Sequence, residues 1–476
     1  MSPMPNGGKG CVMEDETGDV ALEATVDTGC GLDRLAGLTH VISAATVREA
    51  LRETERENPR ACLLSHEVTT WVLLAMGVLT DLPIRSVYQH ARRLQPGDSI
   101  PTRSALCLAR QRLGIAPLRA LFQRVVRPLM DDQMPGATFG GLRLVGMDGM
   151  KLDVPDTPAN EAAFGRPRGG RGDGAFPQVH KVSLVELGSR AELAFVVKPC
   201  MRNEAVIAWG LRRHIGPGML VLADREFFSF PLWEAYLARG AQLLWRGKTS
   251  FVLKPIEVLS DGSYLAKIYP RPRDRDQDRR GIIIRVVKYT IDDPQRSGHH
   301  EEHTLLTSLL DAEAHAAIDL TWCYHQRWEQ ELMNDEQKTH LDPVRASKPA
   351  QLRSGTPAGV VQELYAQSLG HFVIQALRVE AAKQEQVDPD RISFTGTLRV
   401  LRCRLPECDS RNRDSFAAWF RRLLWEIAQE KIEPRRNRIN PRVVKHQVSN
   451  YAKKHPHHRP VPTLRKSFIE TVVMLI

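Results

Sequence analysis

The chain has 476 residues, of which 42% are hydrophobic, and its 66 Lys and Arg against 56 Asp and Glu give a net charge of +10. This length exceeds one ordinary core and predicts about two to four domains. No run of 18 uncharged apolar residues occurs and residues 1–10 lack an apolar signal segment, which argues against a membrane-spanning helix and predicts a cytoplasmic protein that is not secreted. The eight cysteines are scattered, and we expect reduced thiols.

The N-terminal part is predicted to be a disordered segment followed by a helical domain. Residues 1–36 are rich in Gly and acidic residues, which is typical of disorder, and helical patterns follow over residues 37–135. The third predicted helix carries Arg103, Arg110 and Arg112. Three short helices ending in a basic one are typical of a helix-turn-helix variant, whose third helix enters a DNA groove. These arginines are therefore candidate DNA contacts, and a plain helical bundle with a basic outer face is the alternative.

From Leu142 the hydrophobic period changes to that of strands. Three consecutive strands, a helix, a nearly continuous apolar strand and a further helix–strand step predict an α/β fold with a ribonuclease-H-like catalytic core. We place this core at residues 136–247 and 311–348, with a β-rich insertion at residues 248–310. The apolar run before Asp224 suits a strand that is buried on both faces.

Beyond the core, we predict a C-terminal helical domain at residues 349–433 and a basic tail at residues 434–476. Trp419 and Trp425 lie on a predicted helix and are interpreted as core residues. Residues 434–466 contain ten Lys or Arg and no Asp or Glu, which matches a polyanion such as DNA. A tail that only increases solubility is the alternative.

The candidate chemistry depends on three carboxylates. Asp148 and Asp224 each follow an apolar strand, and if these strands are neighbours the two acids meet at one edge of the sheet. Like charges that close require a cation between them, and Glu331 from a later helix would complete the set of ligands. Carboxylate oxygens suit Mg²⁺ or Mn²⁺, and two such ions catalyse in-line displacement at phosphorus. Taken alone, either Asp is as well explained as a turn or cap residue.

One helix-length stretch places four functional groups on one face. On an ideal helix, Tyr324, Arg327, Glu331 and Lys338 share a stripe of roughly 60°. This combination suits a helix that lies along a phosphodiester, because the cations can bind the phosphate and the carboxylate can bind a metal. A solvated charged face is the alternative. Asp335 falls on the same face and rivals Glu331.

The same spacing predicts on which side of the helix two further residues of this stretch lie. Trp328 lies on the face of the stripe, where it either stacks on a base or packs. Glu329 is expected to face away from the stripe.

These residues resemble the Tyr-x2-Arg-x3-Glu-x6-Lys signature of the insertion-sequence-four family of DDE transposases. The segments that begin at Asp148-Gly-Met-Lys and Ala223-Asp224-Arg225 resemble the family's first two catalytic blocks, and the resemblance covers roughly residues 38–451. It implies that Glu331, rather than Asp335, is the third acid.

The resemblance also implies an activity. The expected reaction is cut-and-paste transposition with two Mg²⁺ ions per site: nicking, hairpin formation and resolution at the element end, and strand transfer. Phosphate contacts are expected from Tyr324, Arg327 and Lys338, with Arg225 following the second acid. The implied partners are the terminal repeats and target DNA, bound by a homodimer at the bacterial nucleoid. A catalytically silent DNA-binding derivative and a generic ribonuclease-H-like nuclease are the alternatives.

The loop that begins at Gly165 is flexible and cationic by composition. It contains Arg166, Arg168 and Arg171, which would clamp DNA near Asp148 or belong to an ordinary surface loop.

Overall fold

The computed structural model describes residues 31–58, 62–169, 172–248, 251, 253–294, 299–341, 352–408, 412–434 and 466–475. The α-helices are α1 (Ala44–Glu53), α2 (His66–Val78), α3 (Ile84–Ala91), α4 (Arg103–Leu113), α5 (Ala116–Val125), α6 (Pro158–Phe164), α7 (Glu204–Ala208), α8 (Phe230–Leu237), α9 (Pro272–Asp276), α10 (Ala317–His325), α11 (Trp328–Asp335), α12 (Pro357–Gln384), α13 (Phe394–Arg404), α14 (Arg413–Gln429) and α15 (Phe468–Thr471). The strands are β1 (Thr138–Phe139), β2 (Leu142–Asp153), β3 (Arg168–Gly169), β4 (Gly172–Asp173), β5 (Gln178–Glu186), β6 (Glu192–Pro199), β7 (Met219–Ala223), β8 (Gln242–Arg246), β9 (Glu257–Val258), β10 (Tyr264–Ile268), β11 (Ile282–Ile291), β12 (His303–Thr307) and β13 (Val472–Met474).

The catalytic half of the molecule is built on one large mixed sheet with the order β6-β5-β2-β7-β8-β12-β11-β10-β9. β2 is antiparallel to β5 and parallel to β7, and β7 is parallel to β8. Three antiparallel strands followed by two parallel ones in this order form a ribonuclease-H-like core, so the predicted fold class is confirmed. The strands of the insertion continue the same sheet, because β12 pairs with β8 through Leu306 and Trp245.

Both faces of the central strands are covered. One face packs against α7 and α8 around Trp233, Tyr236 and Trp245, all fully buried. The opposite face packs against α10 through Leu220 and Leu222 of β7. Burial on both faces explains the uninterrupted apolar sequence of β7.

The two helical regions, which we expected to be separate domains, share one hydrophobic core. α2 packs along α12, with α1, α5, α13 and α14 around them. Gly77 and Gly370 make the close crossing possible, since a Cβ on Gly77 would lie 1.9 Å from the Ala366 carbonyl oxygen and one on Gly370 would lie 2.3 Å from that of Gly77. The N- and C-terminal helices therefore form one helical body beside the sheet.

The chain termini differ from the sequence predictions. Residues 33–40 form a 3-10 helix that buries Leu35 and Leu38, so the disorder predicted for residues 1–36 does not extend to this end; residues 1–30 lie outside the described residues. The segment expected to be wholly a basic tail includes α15 and β13, and β13 pairs with β11. Residues 435–465, with most of the basic positions, lie outside the described residues.

Three other expectations are tested by burial and bonding. Trp419 is buried, but Trp425 is 60% exposed, so its interpretation as a core residue is wrong. The six cysteines within the described residues carry free thiols. Among the described helices, none is both long and apolar enough to cross a membrane.

Candidate active site

Asp148 and Asp224 lie next to each other at one edge of the sheet. The last parallel pair between β2 and β7 is Met147 with Ala223, and each acid is the next residue in its strand direction. Asp148 is not at a strand end as expected, because β2 continues to Asp153 in antiparallel pairing with β5. Asp148 lies just beyond the last residue of β2 that pairs with β7, so β7 does not cover this edge of β2.

The stretch from Tyr324 to Lys338 is not one continuous helix. α10 ends at His325, a turn follows, α11 begins at Trp328, and Glu336–His340 form a π-helical turn. The ideal-helix stripe is therefore wrong as a geometric description. A π turn contains one extra residue per turn and so changes the direction of the side chains that follow it.

Tyr324, Arg327 and Glu331 nevertheless meet beside the two aspartates. The Tyr324 hydroxyl donates to the Ala223 carbonyl oxygen at 3.3 Å, directly before Asp224. Arg327 Nη2 donates to Glu331 Oε1 at 2.9 Å, and its guanidinium carbon lies 6.0 Å from the centroid of the Tyr324 ring. Tyr324 is only 8% exposed, so its hydroxyl contacts protein instead of projecting to solvent as a phosphate ligand would.

Arg327 is the centre of the cluster electrostatically. Burial acts to lower the pKa of its guanidinium, but Tyr324, Glu331, Asp224 and Asp148 together raise that pKa above its ordinary value. Arg327 therefore bonds directly to Glu331 and lies within electrostatic range of Asp148 and Asp224. The geometry thus brings together the three carboxylates that were proposed from the sequence.

The carboxyl group of Asp148 lies in a strongly perturbing environment. Burial raises the pKa of Asp148 to about 6, opposed by the Gly149 backbone N–H and by Arg327. Asn334 Nδ2 donates to Asp148 Oδ2 at 2.9 Å. Two oxygen-rich side chains, Glu331 and Glu204, add to the negative field at Asp148. Crowded carboxylates of this kind are a donor set that suits a hard divalent cation.

Lys338 lies within electrostatic range of Asp148. Burial lowers the pKa of the Lys338 ammonium, while Asp148, Asp153 and Asp335 act to raise it. The rival acid Asp335 is exposed; its Oδ1 accepts from Thr339 Oγ1 at 2.8 Å, and it is not among the groups that shift Asp148. The geometry therefore favours Glu331 over Asp335 as the third acid.

Two buried polar clusters hold the π-helical turn, and no local sequence pattern predicts either of them. In the first, Glu336 Oε1 lies 3.1 Å from Arg190 Nη1, and Glu336 Oε2 accepts from His371 Nε2 at 3.0 Å and from Gln375 Nε2 at 2.7 Å. Burial acts to raise the pKa of Glu336, but Arg190, His371 and Arg378 outweigh it and lower the pKa to about 2.

The second cluster holds the next residue of the turn. Lys181 Nζ donates to Gln337 Oε1 at 2.9 Å, and Gln337 Nε2 donates to Glu192 Oε2 at 3.1 Å. Lys181 and Glu192 are completely buried, and Lys181 Nζ lies 2.8 Å from Glu192 Oε1. With Glu336 and Gln337 both held inward, Lys338 is left facing the site.

The remaining predicted DNA contacts divide by exposure. Arg103, Arg112 and Arg225 are exposed and Trp328 is 40% exposed, which leaves them accessible to DNA. Arg110 is different: its Nη2 donates to Ser354 Oγ and to the Gly359 carbonyl oxygen, both at 3.0 Å. Its guanidinium joins α4 to the start of α12, so its prediction as a DNA contact is wrong in this structure.

Two other expectations about side-chain direction are also corrected. Arg166, a candidate clamp residue, pairs with Asp156 and with Glu161, which turns it toward its own loop. Glu329, expected to face away from the stripe, lies beside a buried arginine, since its Oε2 is 3.8 Å from Arg190 Nε, and so it is not a simple surface residue. Arg171 lies outside the described residues.

Comparison with known proteins agrees with this site. Residues 140–354 match the family described as "Transposase DDE domain", and residues 32–123 match "Insertion element 4 transposase N-terminal". The chain is 26% identical over 422 residues to the transposase InsG of insertion sequence element IS4 from Escherichia coli K12, covering 88% of this chain and 93% of that protein. It is 27% identical over 183 residues to the putative transposase InsZ of the same organism, covering 38% of this chain and 60% of that protein.

One solved structure, the piggyBac transposase synaptic complex with hairpin DNA, aligns over 91% of this chain and 92% of its own with 11% identity and a TM-score of 0.44. The fold and the matched catalytic domain define a DDE transposase, an enzyme class that cleaves DNA, joins strands and generally uses divalent metal ions. More particularly, this chain belongs to the insertion-sequence-four family of DDE transposases.

Proposed function

We propose that this chain catalyses Mg²⁺-dependent cut-and-paste transposition of an insertion sequence. It nicks DNA at the element ends, forms and resolves a hairpin there, and joins the freed ends to target DNA. The observation that carries the proposal is the convergence of Asp148, Asp224 and Glu331 around Arg327 at the edge of a ribonuclease-H-like sheet.

The three carboxylates would hold two divalent cations, with Mn²⁺ able to replace Mg²⁺. Their oxygens are hard donors, and bound positive charge would offset the burial and the neighbouring Glu204 and Glu331 that raise the pKa of Asp148. When bound, such ions supply activation of the attacking hydroxyl and stabilisation of the leaving oxygen. Asn334 orients Asp148 by donating to its Oδ2.

The cations of the site act on the DNA backbone. Lys338, held near Asp148 by the π-helical turn, contacts the phosphate at the cleaved end. Arg327 holds Glu331 in position before DNA arrives and contributes positive charge to the phosphate in the transition state. Tyr324 supports this arrangement from within the protein, since its hydroxyl ties α10 to the end of β7.

Sequence-specific binding to the terminal repeats is assigned to the N-terminal helices, with Arg103 and Arg112 on the exposed side of α4. Trp328 and Arg225 flank the acids and contact the cleaved end. Two copies act on paired ends, and the basic residues 434–466 extend the contact to DNA. The protein would accordingly associate with the bacterial nucleoid.

The test is an assay with the full chain on a supercoiled plasmid that carries the DNA flanking both sides of the gene. We expect Mg²⁺-dependent excision of the flanked segment and joined products with target DNA, and neither from Asp148→Asn. Binding without cutting in the wild type would favour a silent DNA-binding derivative. Cutting at random positions with no joined products would favour a generic nuclease.

A further inference from the structure

The connection from β11 to β12 is rich in side chains of the kind that ligate metals. Residues 299–303, which complete this connection and begin β12, read His-His-Glu-Glu-His, so three of the 16 histidines of the chain fall within five positions. Asp292 and Asp293 lie at the start of the same connection. Short tracts rich in histidine are typical of metal-binding sequences. The proposed DNA cleavage uses none of these residues.

Three of these side chains converge. Among the residues that the structure describes, the candidate ligand atoms of Asp292, His299 and His300 all lie within 4.8 Å of one another. The two imidazole rings are adjacent, with their centroids 3.7 Å apart. In a tetrahedral zinc site with bonds of about 2.0 to 2.1 Å, ligand atoms are roughly 3.3 Å apart. Asp292 and His300 are exposed and His299 is half-buried, so side-chain rotations can bring the three atoms to that spacing.

The backbone orients His299 as a metal ligand. The Ile291 carbonyl oxygen accepts from the His300 backbone N–H at 3.1 Å and also lies 3.1 Å from His299 Nδ1. Because a carbonyl oxygen can only accept, Nδ1 carries a proton, and in the neutral ring Nε2 holds the lone pair that a metal needs. Histidines that ligate metals commonly donate their other ring N–H to a backbone carbonyl in this way.

The composition of the cluster favours a transition metal over Mg²⁺. His303 lies outside it, since His303 Nδ1 accepts from Arg246 Nη2 at 2.9 Å, and Asp293 is buried. The remaining donors are one carboxylate and two imidazoles. Imidazole nitrogens suit Zn²⁺ and its neighbours in the first transition row, whereas Mg²⁺ prefers oxygen ligands alone. Three protein ligands leave a fourth position for water.

The cluster lies where the C-terminal segment joins the sheet. The Asp292 backbone N–H donates to the Thr471 carbonyl oxygen at 2.8 Å, at the point where α15 ends and β13 begins. α15 in turn contacts α10, since the Phe468 ring stacks on that of His325 with centroids 3.8 Å apart. A metal ion that ties Asp292 to the two histidines would therefore fix the loop beside this junction.

We propose that Asp292, His299 and His300 bind one divalent transition metal ion of the zinc type, within the β-rich insertion and not among the catalytic acids. The role of this ion is structural: it closes the connection between β11 and β12 and stabilises the adjoining junction with α15 and β13.

Co²⁺ is the probe for this site, because it takes the same ligands as Zn²⁺ and reports its coordination through visible absorption. The full chain carrying Asp148→Asn and Asp224→Asn is titrated with Co²⁺ in excess Mg²⁺, so that the catalytic acids do not contribute. We expect one saturable site per chain, from which Zn²⁺ displaces Co²⁺. In the same background, His299→Ala and Asp292→Asn should each weaken Co²⁺ binding by about tenfold or more.

The matched control removes the other histidine cluster of the sequence with His455→Ala, His457→Ala and His458→Ala. This triple substitution should leave the affinity for Co²⁺ unchanged. Absence of saturable binding, displacement of Co²⁺ by Mg²⁺ as readily as by Zn²⁺, or a loss in the triple variant as large as that in His299→Ala would each overturn the proposal. None of these results bears on the proposed function, because DNA cleavage is measured separately on the chain with its catalytic acids intact.

Discussion

Arg327 Nη2, at the N-cap position of α11, donates to Glu331 Oε1 in the first turn of the same helix at 2.9 Å. Arg327 is 9% exposed and also interacts electrostatically with Asp148 and Asp224. A cation thus already offsets the mutual repulsion of the three acids in the protein alone. Binding of metal and DNA must redistribute these interactions, so Arg327 is both a structural and a functional residue.

Neutralising any of the three acids should remove catalysis and spare binding. We expect Asp148→Asn, Asp224→Asn and Glu331→Gln each to lower end cleavage and strand transfer by several orders of magnitude, because metal ligands act in the transition state while affinity comes from phosphate contacts elsewhere. Gel shifts and cleavage assays on the same preparations measure both. Retained cleavage in Glu331→Gln together with loss in Asp335→Asn would show that the third ligand is wrong.

Removing the cations of the site should weaken DNA binding in a salt-dependent way. Arg327→Ala and Lys338→Ala should each reduce the slope of log affinity against log salt by about one. Glu329 is unsuitable as the control, since it lies beside Arg190. Arg119→Ala, which changes an exposed arginine of α5, takes its place, and a slope change as large as that of Lys338→Ala would mean that the effect is only one of net charge.

Gln337 should act on the reaction through Lys338. Gln337→Ala breaks the hydrogen bonds to Lys181 and Glu192 that hold the π-helical turn, so we expect slower strand transfer. In a Lys338→Ala background the same substitution should add little, because coupled residues are not additive. Rates for the four proteins of this cycle provide the measurement, and full additivity would assign Gln337 to general stability only.

The buried Glu336 should make stability depend on acid pH. Its pKa is lowered from 4.5 to about 2, so the folded state gains on the order of 3 kcal/mol above pH 4.5. This gain is lost as the pH falls from about 4.5 through about 2. Urea unfolding of the wild type and of Glu336→Gln at a series of pH values tests this: the difference in unfolding free energy should shrink with acidification, and a constant difference would refute it.

Arg110 and Arg112, two residues apart on α4, should respond oppositely to truncation. Arg110→Ala removes the hydrogen bonds that join α4 to Ser354 and Gly359, which should cost about 1 to 3 kcal/mol of unfolding free energy. Arg112→Ala should leave stability within about 0.5 kcal/mol and weaken DNA binding. Urea unfolding and gel shifts separate the two, and a stable Arg110→Ala with weakened binding would restore Arg110 as a DNA contact.

The catalytic half of the fold could be predicted because its signals are local. The apolar run of β7 and the strand-like sequences of β2 and β5 each reflect the burial of their own residues, so Asp148 and Asp224 could be located at a shared edge. The ribonuclease-H-like order then follows from the connections between these strands.

The features that could not be predicted depend on distant parts of the chain. The π-helical turn is held through Glu336 by Arg190 and His371, which a single sequence does not identify as partners. For the same reason the sequence predicts a surface cation at Arg110, whose partners Ser354 and Gly359 lie just before and within the start of α12. Trp425 shows the converse, since its aromatic character suggested burial and the packing of α14 leaves it outside.

The pairing of β13 with β11 limits how far the basic residues that precede β13 can lie from the sheet. Before these residues, the Ile432 N–H donates to the Arg391 carbonyl oxygen at 2.7 Å, and after them β13 is hydrogen-bonded into the catalytic sheet. Covalent geometry allows the 31 residues from 435 to 465 a contour of roughly 105 Å between these two anchors. In the proposed function, their positive charges would therefore act as a high local concentration of cations for the DNA that the same subunit binds.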